Sequence, residues 1–360
     1  ETPREARLRD HAPQPNRLAV DALFPLLSDR VAVRERVLAG ELPLWDARLG
    51  LGAPLLGGTM AGPLYPPGVL RLLLPPDRAA AWHALLALVL AGAGLWAFLE
   101  RRGVAPEACA VGALALQAGA WGLANVHLAP KLDAALWLPW SLWAVDGVLA
   151  RRRGAGLSLT LSIAFAFLAG FPGVAAFGLT TTLVYALVRA STLSTGPGPL
   201  VHALTFLGLG LATAGVQLLP TAATSAGSLR SPLTAAEVET QSLPLGTSLG
   251  LAVPHLFGMP ADARPADRDP LTWSLTRASE ATQAEQANAL EWDLFAGVTV
   301  LLLALTALVA RPRRALFPAT LALATIGFAQ GWPGLTLLYH VPGLDLGNPA
   351  RAASLAWIAW

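Results

Sequence analysis

Residues 79–99 read AAAWHALLALVLAGAGLWAFL, and Glu100, Arg101 and Arg102 follow at once. A run of that length and apolarity covers the ~20 residues an α-helix needs to cross a bilayer, and the arginines mark its return to water. Comparable runs recur at 105–124, 132–150, 157–169, 172–188, 200–219, 294–310 and 315–329, with a last one opening near 350. The run at 157–169 is the shortest. Only 13% of the chain is charged and 54% is hydrophobic, where a soluble domain would carry roughly 25% charged residues. The expected fold is all-α: a polytopic transmembrane helical protein.

Charge orients the runs. Arg101-Arg102, Arg151-Arg152-Arg153, Arg189 and Arg311/Arg313/Arg314 fall in alternate short connections, which the positive-inside rule places in the cytoplasm. The other connections are then external: the opening loop, 125–131, Gly170-Phe171, the long segment 220–291, and 331–349. The pI near 9.1 accompanies a net charge of only +2, so the arginines read as topology signals and not as a nucleic-acid surface. The single cysteine, Cys109, lies inside an apolar run, which excludes an internal disulfide. Glu1 at the start and an apolar run cut at Trp360 make the chain read as a fragment, missing a span before Glu1 and more after Trp360.

Four regions follow. Residues 1–78 form a first external loop with amphipathic juxtamembrane helices, and 79–220 a transmembrane helical region. Residues 221–291 form a long external loop, and 292–360 further transmembrane helices, truncated at the C-terminus. Within the first region, Leu23, Phe24, Leu27, Val31 and Leu38 recur at helical spacing while Asp29, Arg30, Arg34, Glu35 and Arg36 take the other side. This predicts a surface helix over 21–39, ended by Gly40, and a second short helix is predicted over 67–74 before Pro75-Pro76. The Gly-x-Gly pairs at Gly50/Gly52, Gly92/Gly94 and Gly208/Gly210 lack a strand-turn-helix setting and read as turn or packing glycines.

The order of pieces in the opening region is distinctive: Asn16 to Asp21 and Pro25 (Asn-x-x-x-x-Asp-x-x-x-Pro), then Gly40-Glu41-Leu42-Pro43-Leu44-Trp45, Gly50-Leu51-Gly52-Ala53-Pro54-Leu55, and Leu64-Tyr65-Pro66-Pro67. In that order they resemble the first external loop of the YfhO-like bacterial membrane proteins, a family grouped with the C-type glycosyltransferases. The resemblance continues through His127 to Trp140, Gln217 to Arg230, and Pro349 and Arg351. It implies C-type architecture and transfer of a sugar from a polyprenyl-phosphate donor to an extracytoplasmic cell-envelope polymer or lipid, in the bacterial plasma membrane. External loops meet no nucleotide sugar, so a lipid-linked donor fits the topology too.

Asp21 stands where the loop turns into the surface helix. A carboxylate there serves either as the helix N-cap or as the base for an acceptor hydroxyl; the resemblance implies the latter. Asp10 and Asp46 are rival carboxylates, Asp46 reading as structural. Lys131 is the only lysine of the 25 Lys and Arg residues, at the external mouth of a run beside His127 and Asp133. It could hold a phosphate as a point charge, snorkel to the interface or pair with Asp133. Arg230 and Arg351, at external ends of runs, are candidate phosphate ligands or headgroup anchors. The family often carries a further arginine where this chain has Asn348. His127, Trp45 and Tyr65 are candidate substrate-lining residues, although most tryptophans fit an interfacial belt. No metal-ligand spacing stands out, so no cofactor is expected; a need for a divalent ion is not legible. The alternative function is a non-catalytic lipid-linked-saccharide transporter or flippase, which would place charges deep within the spans; Asp146, near an arginine-bearing end, is the one acid well inside a run.

Overall fold

The computed structural model describes residues 26–48, 51–58, 60–193, 196–227, 234, 238, 241–253, 294–341, 344, 348–352 and 355. Among these the chain is mostly helical, with four helices long and apolar enough to cross a membrane. Asp21 and Arg230 lie outside the described residues, as do Asp10 and most of the segment 220–291.

The first described helix, α1 (Ser28–Leu38), falls within the predicted 21–39, of which 21–25 lie outside the described residues, and ends at Ala39 and Gly40, whose φ of +77° only glycine adopts at little cost. Ala32 and Val33 pack on Leu55 and Ala61, tying α1 to the loop after it. That loop is pinned by two short antiparallel strands, β1 (Trp45–Asp46) and β2 (Ala53–Pro54). Gly52, at φ +101°, lies directly under the Trp45 indole, where any Cβ would collide. A 3₁₀ turn at Pro66–Val69 leads into α2 (Leu70–Leu73), so the second predicted short helix is present with a tighter first turn.

The long apolar run is α3 (Pro76–Arg101), opened by a proline at its first helical position. It packs along α4 (Pro106–Ala118) and α7 (Trp137–Leu149). Gly92 and Gly94 are the packing glycines of that contact. A Cβ at Gly94 would stand 2.6 Å from the Trp140 indole nitrogen, which donates to the Leu90 carbonyl at 2.9 Å. Gly119 breaks the next run into α4 and α5 (Ala120–Ala124).

The run expected as one span over 132–150 is two helices, α6 (Ala129–Ala135) and α7, hinged at Leu136. Every residue of α6 is buried, because α7, α8 (Ala155–Leu168), α9 (Pro172–Thr192) and α3 surround it. The longest helix, α10 (Gly198–Ala226), packs on α8 with Gly210 against Ile163, while the partner glycine of that pair, Gly208, faces open space. The last pair, α11 (Val298–Ala310) and α12 (Pro312–Ala329), is joined by Arg311 alone. At 14 and 13 residues, α8 and α11 are shorter than a bilayer-crossing helix.

Two ends of the bundle differ in character. At one, Asp146 of α7 accepts from Arg189 Nε and the Tyr185 hydroxyl of α9, each at 2.9 Å, with Arg102 at 3.8 Å. Arg101 caps the Trp143 carbonyl and lies over its ring, 3.8 Å from the centroid. The basic connections after α3, α7 and α9 therefore meet at a single end. At the other, the opening loop folds over the helices: Gly62 (φ +53°) approaches the Ala169 carbonyl at the α8–α9 turn, and Gly57 sits against Thr224 near the end of α10.

Candidate functional site

At the end covered by the opening loop lies a polar cluster that no single stretch of sequence announces. Asp133, on α6, is buried, and its Oδ2 lies 2.6 Å from His83 Nε2 of α3 and 3.1 Å from Arg71 Nη2 of α2. His83 Nε2 also lies 2.9 Å from Arg71 Nη2, so one ring nitrogen faces both a carboxylate oxygen, which only accepts, and a guanidinium, which only donates. Arg71, whose side chain is 10% exposed, also donates to the Ala61 carbonyl at 3.1 Å, binding helix, loop and bundle together. Tyr65 packs edge-on to His83 and accepts from Trp137 Nε1 at 3.0 Å. Burial, helped by the Asp133 charge, pushes the Tyr65 phenol well above its ordinary range, so it stays neutral.

A cleft of about 30 Å³ opens beside this cluster, between α1, α2 and α3. A single water needs ~10–15 Å³, so the cleft has room for a small polyatomic group and not for a sugar ring. Leu27, the residue before α1, and Arg30, Val31 and Arg34 on it line the cleft, an i, i+3, i+4, i+7 stripe on one face. This corrects the expected polar face: Arg30 and Arg34 turn toward α3, while Arg36 and Glu35 pair outward with Glu41 and Arg48. Arg30 Nε and Nη2, Arg34 Nε and Arg71 Nε are buried without hydrogen-bond partners. Burial, reinforced by Arg71, pulls the Arg30 guanidinium down to about 9 against the opposing pull of Asp133, so it remains a cation at neutral pH.

The other expected site residues are scattered around the same end. Lys131 is 1% exposed, with Nζ 5.5 Å from the centroid of the Trp121 ring, a cation–π distance; a side chain so enclosed does not snorkel. Nor does it pair with Asp133, which is two residues away and hence roughly on the opposite side of α6, and which binds Arg71 and His83 instead. Arg351 lies on a 3₁₀ turn, Pro349–Ala352, against α9 and α12, its guanidinium carbon 5.1 Å from the Phe171 ring. His127 is half-buried in the connection before α6. Trp45 is 48% exposed on the hairpin, and Asp46 accepts from Arg48 at 3.0 Å, as a structural carboxylate would. No group of three or more potential metal ligands occurs among the described residues.

Sequence reasoning missed Arg30, Arg34, Arg71 and His83. The available signal was the spacing of Arg30 and Arg34 on the stripe shared with Leu27 and Val31, together with a histidine inside an otherwise uncharged run. No family model, curated protein or solved structure matches the chain.

Proposed function

We propose that the chain is a multispanning membrane protein of C-type glycosyltransferase architecture, related to the YfhO-like family it resembles. In this reading it moves a sugar from a polyprenyl-phosphate donor to an extracytoplasmic cell-envelope acceptor, in the bacterial plasma membrane. The observation that carries the reading is the gathering of the opening loop, Lys131 and Arg351 at one end of the apolar helices, opposite the end where Arg101, Arg102 and Arg189 meet. With the arginine end in the cytoplasm, the loop end faces the exported, lipid-linked substrates.

The chemistry is an in-line displacement. The acceptor hydroxyl oxygen forms its bond to the anomeric carbon as the bond from that carbon to the phosphate oxygen breaks. Asp21 takes the hydroxyl proton, and polyprenyl phosphate leaves with the bonding electrons, its charge met by Lys131, Arg230 and Arg351. His127, Trp45 and Tyr65 belong to the loop end where the sugar would be presented. The competing transporter reading calls for charges midway along the spans; among the described helices they stand within about two turns of a helix end, which supports the enzyme.

The test is sugar transfer by purified full-length protein with a polyprenyl-phosphate sugar and a crude envelope acceptor. Asn caps a helix as well as Asp does but takes up no proton at neutral pH, so Asp21→Asn should fold and bind donor while losing transfer by ~10²–10⁴. Equal rates would place the base elsewhere. Donor binding without transfer by either protein would favour the transporter.

A further inference from the structure

Three guanidinium groups converge on the cleft between α1, α2 and α3, and the one carboxylate hydrogen-bonded to them among the described residues, Asp133, meets Arg71 and His83 through Oδ2, while its buried Oδ1 makes no hydrogen bond to any of them. Four buried N–H-bearing nitrogens, on Arg30, Arg34 and Arg71, are left without an acceptor. Other acids on α1 do not supply one: Glu35 is held by Arg48, and Asp29 is not part of the cleft wall. A buried donor costs free energy while it lacks an acceptor, and a buried cation costs more. An arrangement that keeps several such groups aimed at one small cleft is completed by an anion with several oxygens.

The surroundings specify how that anion arrives. Pro76, Ala79 and Ala80 form an apolar wall, and Leu27 at the cleft, with Val69, Leu73 and Trp82 on the adjoining segments, is exposed. A soluble ion would gain nothing from this rim, whereas an amphiphile would lay its chain along it. We propose that Arg30, Arg34 and Arg71 form a binding site for the phosphate group of a membrane amphiphile. The site is separate from Lys131 and Arg351 and from Asp21, so it holds whether or not the protein transfers sugar.

The experiment uses full-length protein in dodecyl maltoside micelles, which contain no phosphate, titrated with phosphatidylglycerol, with polyprenyl phosphate, with inorganic phosphate and with diacylglycerol. One equivalent of phosphatidylglycerol is expected to bind, while polyprenyl phosphate can fill a second site at Lys131 and Arg351, so the source is identified by which of the two lipids loses an equivalent in the cleft variants. Arg30→Gln and Arg34→Gln should each weaken that binding about tenfold or more, as loss of a charge-assisted hydrogen bond does, while Arg30→Lys retains part of it. Arg36→Gln, whose guanidinium pairs with Glu41 outside the cleft, should bind as wild type, and a thermal melt of each variant separates lost binding from lost folding. Folded cleft variants that bind normally, or diacylglycerol binding as tightly as the phosphate lipids, would overturn the site. Inorganic phosphate binding as tightly as either amphiphile would overturn its assignment to a membrane ligand.

Discussion

Arg30 and Asp133 sit in one cluster and should respond to mutation with opposite sign. Asp133 compensates Arg71 and lies 2.6 Å from His83 Nε2, so Asp133→Ala leaves a buried guanidinium unpaired and should cost about 3–5 kcal/mol. Arg30 has buried nitrogens with no acceptor, and its depressed pKa means that the folded state holds its proton less tightly than the unfolded state does. Between about 9 and the ordinary arginine value, the unfolded chain binds more protons and stability rises with pH; below about 9 the charge is present in both states and its full cost is paid. In phosphate-free micelles at neutral pH, Arg30→Met should therefore be neutral or stabilising by up to ~3 kcal/mol. Thermal melts of the two variants check this, and an Arg30→Met variant as damaged as Asp133→Ala would mean that Arg30 holds the fold. The contrast was not legible beforehand, because helical spacing gives the polar residues of α1 a common face without saying which of them turn inward.

At the level of helices, close approach is set by small residues. Gly210 of α10 lies against Ile163 and the Thr160 carbonyl of α8, where an added Cβ would stand 2.7 Å and 2.9 Å from its neighbours. Gly210→Val should force the two helices apart and cost about 1–3 kcal/mol, whereas Gly208→Val, facing open space on the same helix, should change stability little; denaturant melts of the pair make the comparison. The existence of most helices could be read from apolar runs, and the role of Gly94 from its setting. The hinge at Leu136 could be read as well, from Pro139, which offers no N–H to the Ala135 carbonyl and crowds it with its ring. The enclosure of α6 on all sides could not, because it is a property of neighbours distant in sequence. The same reason hid the cluster: Arg71, His83 and Asp133 come from three segments, each with a plausible local reading as anchor, core histidine or lysine partner.

For the molecule as a whole, the grouping of Arg101, Arg102, Asp146 and Arg189 at one end and the opening loop at the other makes orientation a single choice. With the arginine end in the cytoplasm, single cysteines at Gly154 and Arg313 should resist a membrane-impermeant thiol reagent in intact cells, while cysteines at Glu41 and Asp267 should react. The opposite pattern would invert the proposal, placing the loop end where lipid-linked donors are not displayed. The native Cys109 is buried and should contribute no background.

The ion pairs at the two ends also bear on biosynthesis. Arg71 precedes its partner Asp133 by 62 residues, and Asp146 precedes Arg189 by 43. At a synthesis rate of ~5–20 residues per second, the first interval lasts roughly 3–12 s and the second roughly 2–9 s. Asp146 does not wait unattended, because Arg102, 3.8 Å away in the finished fold, has already emerged. Among the described residues Arg71 has no earlier carboxylate as a hydrogen-bond partner, so its charge is first met there when α6 is delivered, and docking of the opening loop is expected to follow insertion of α3 through α6.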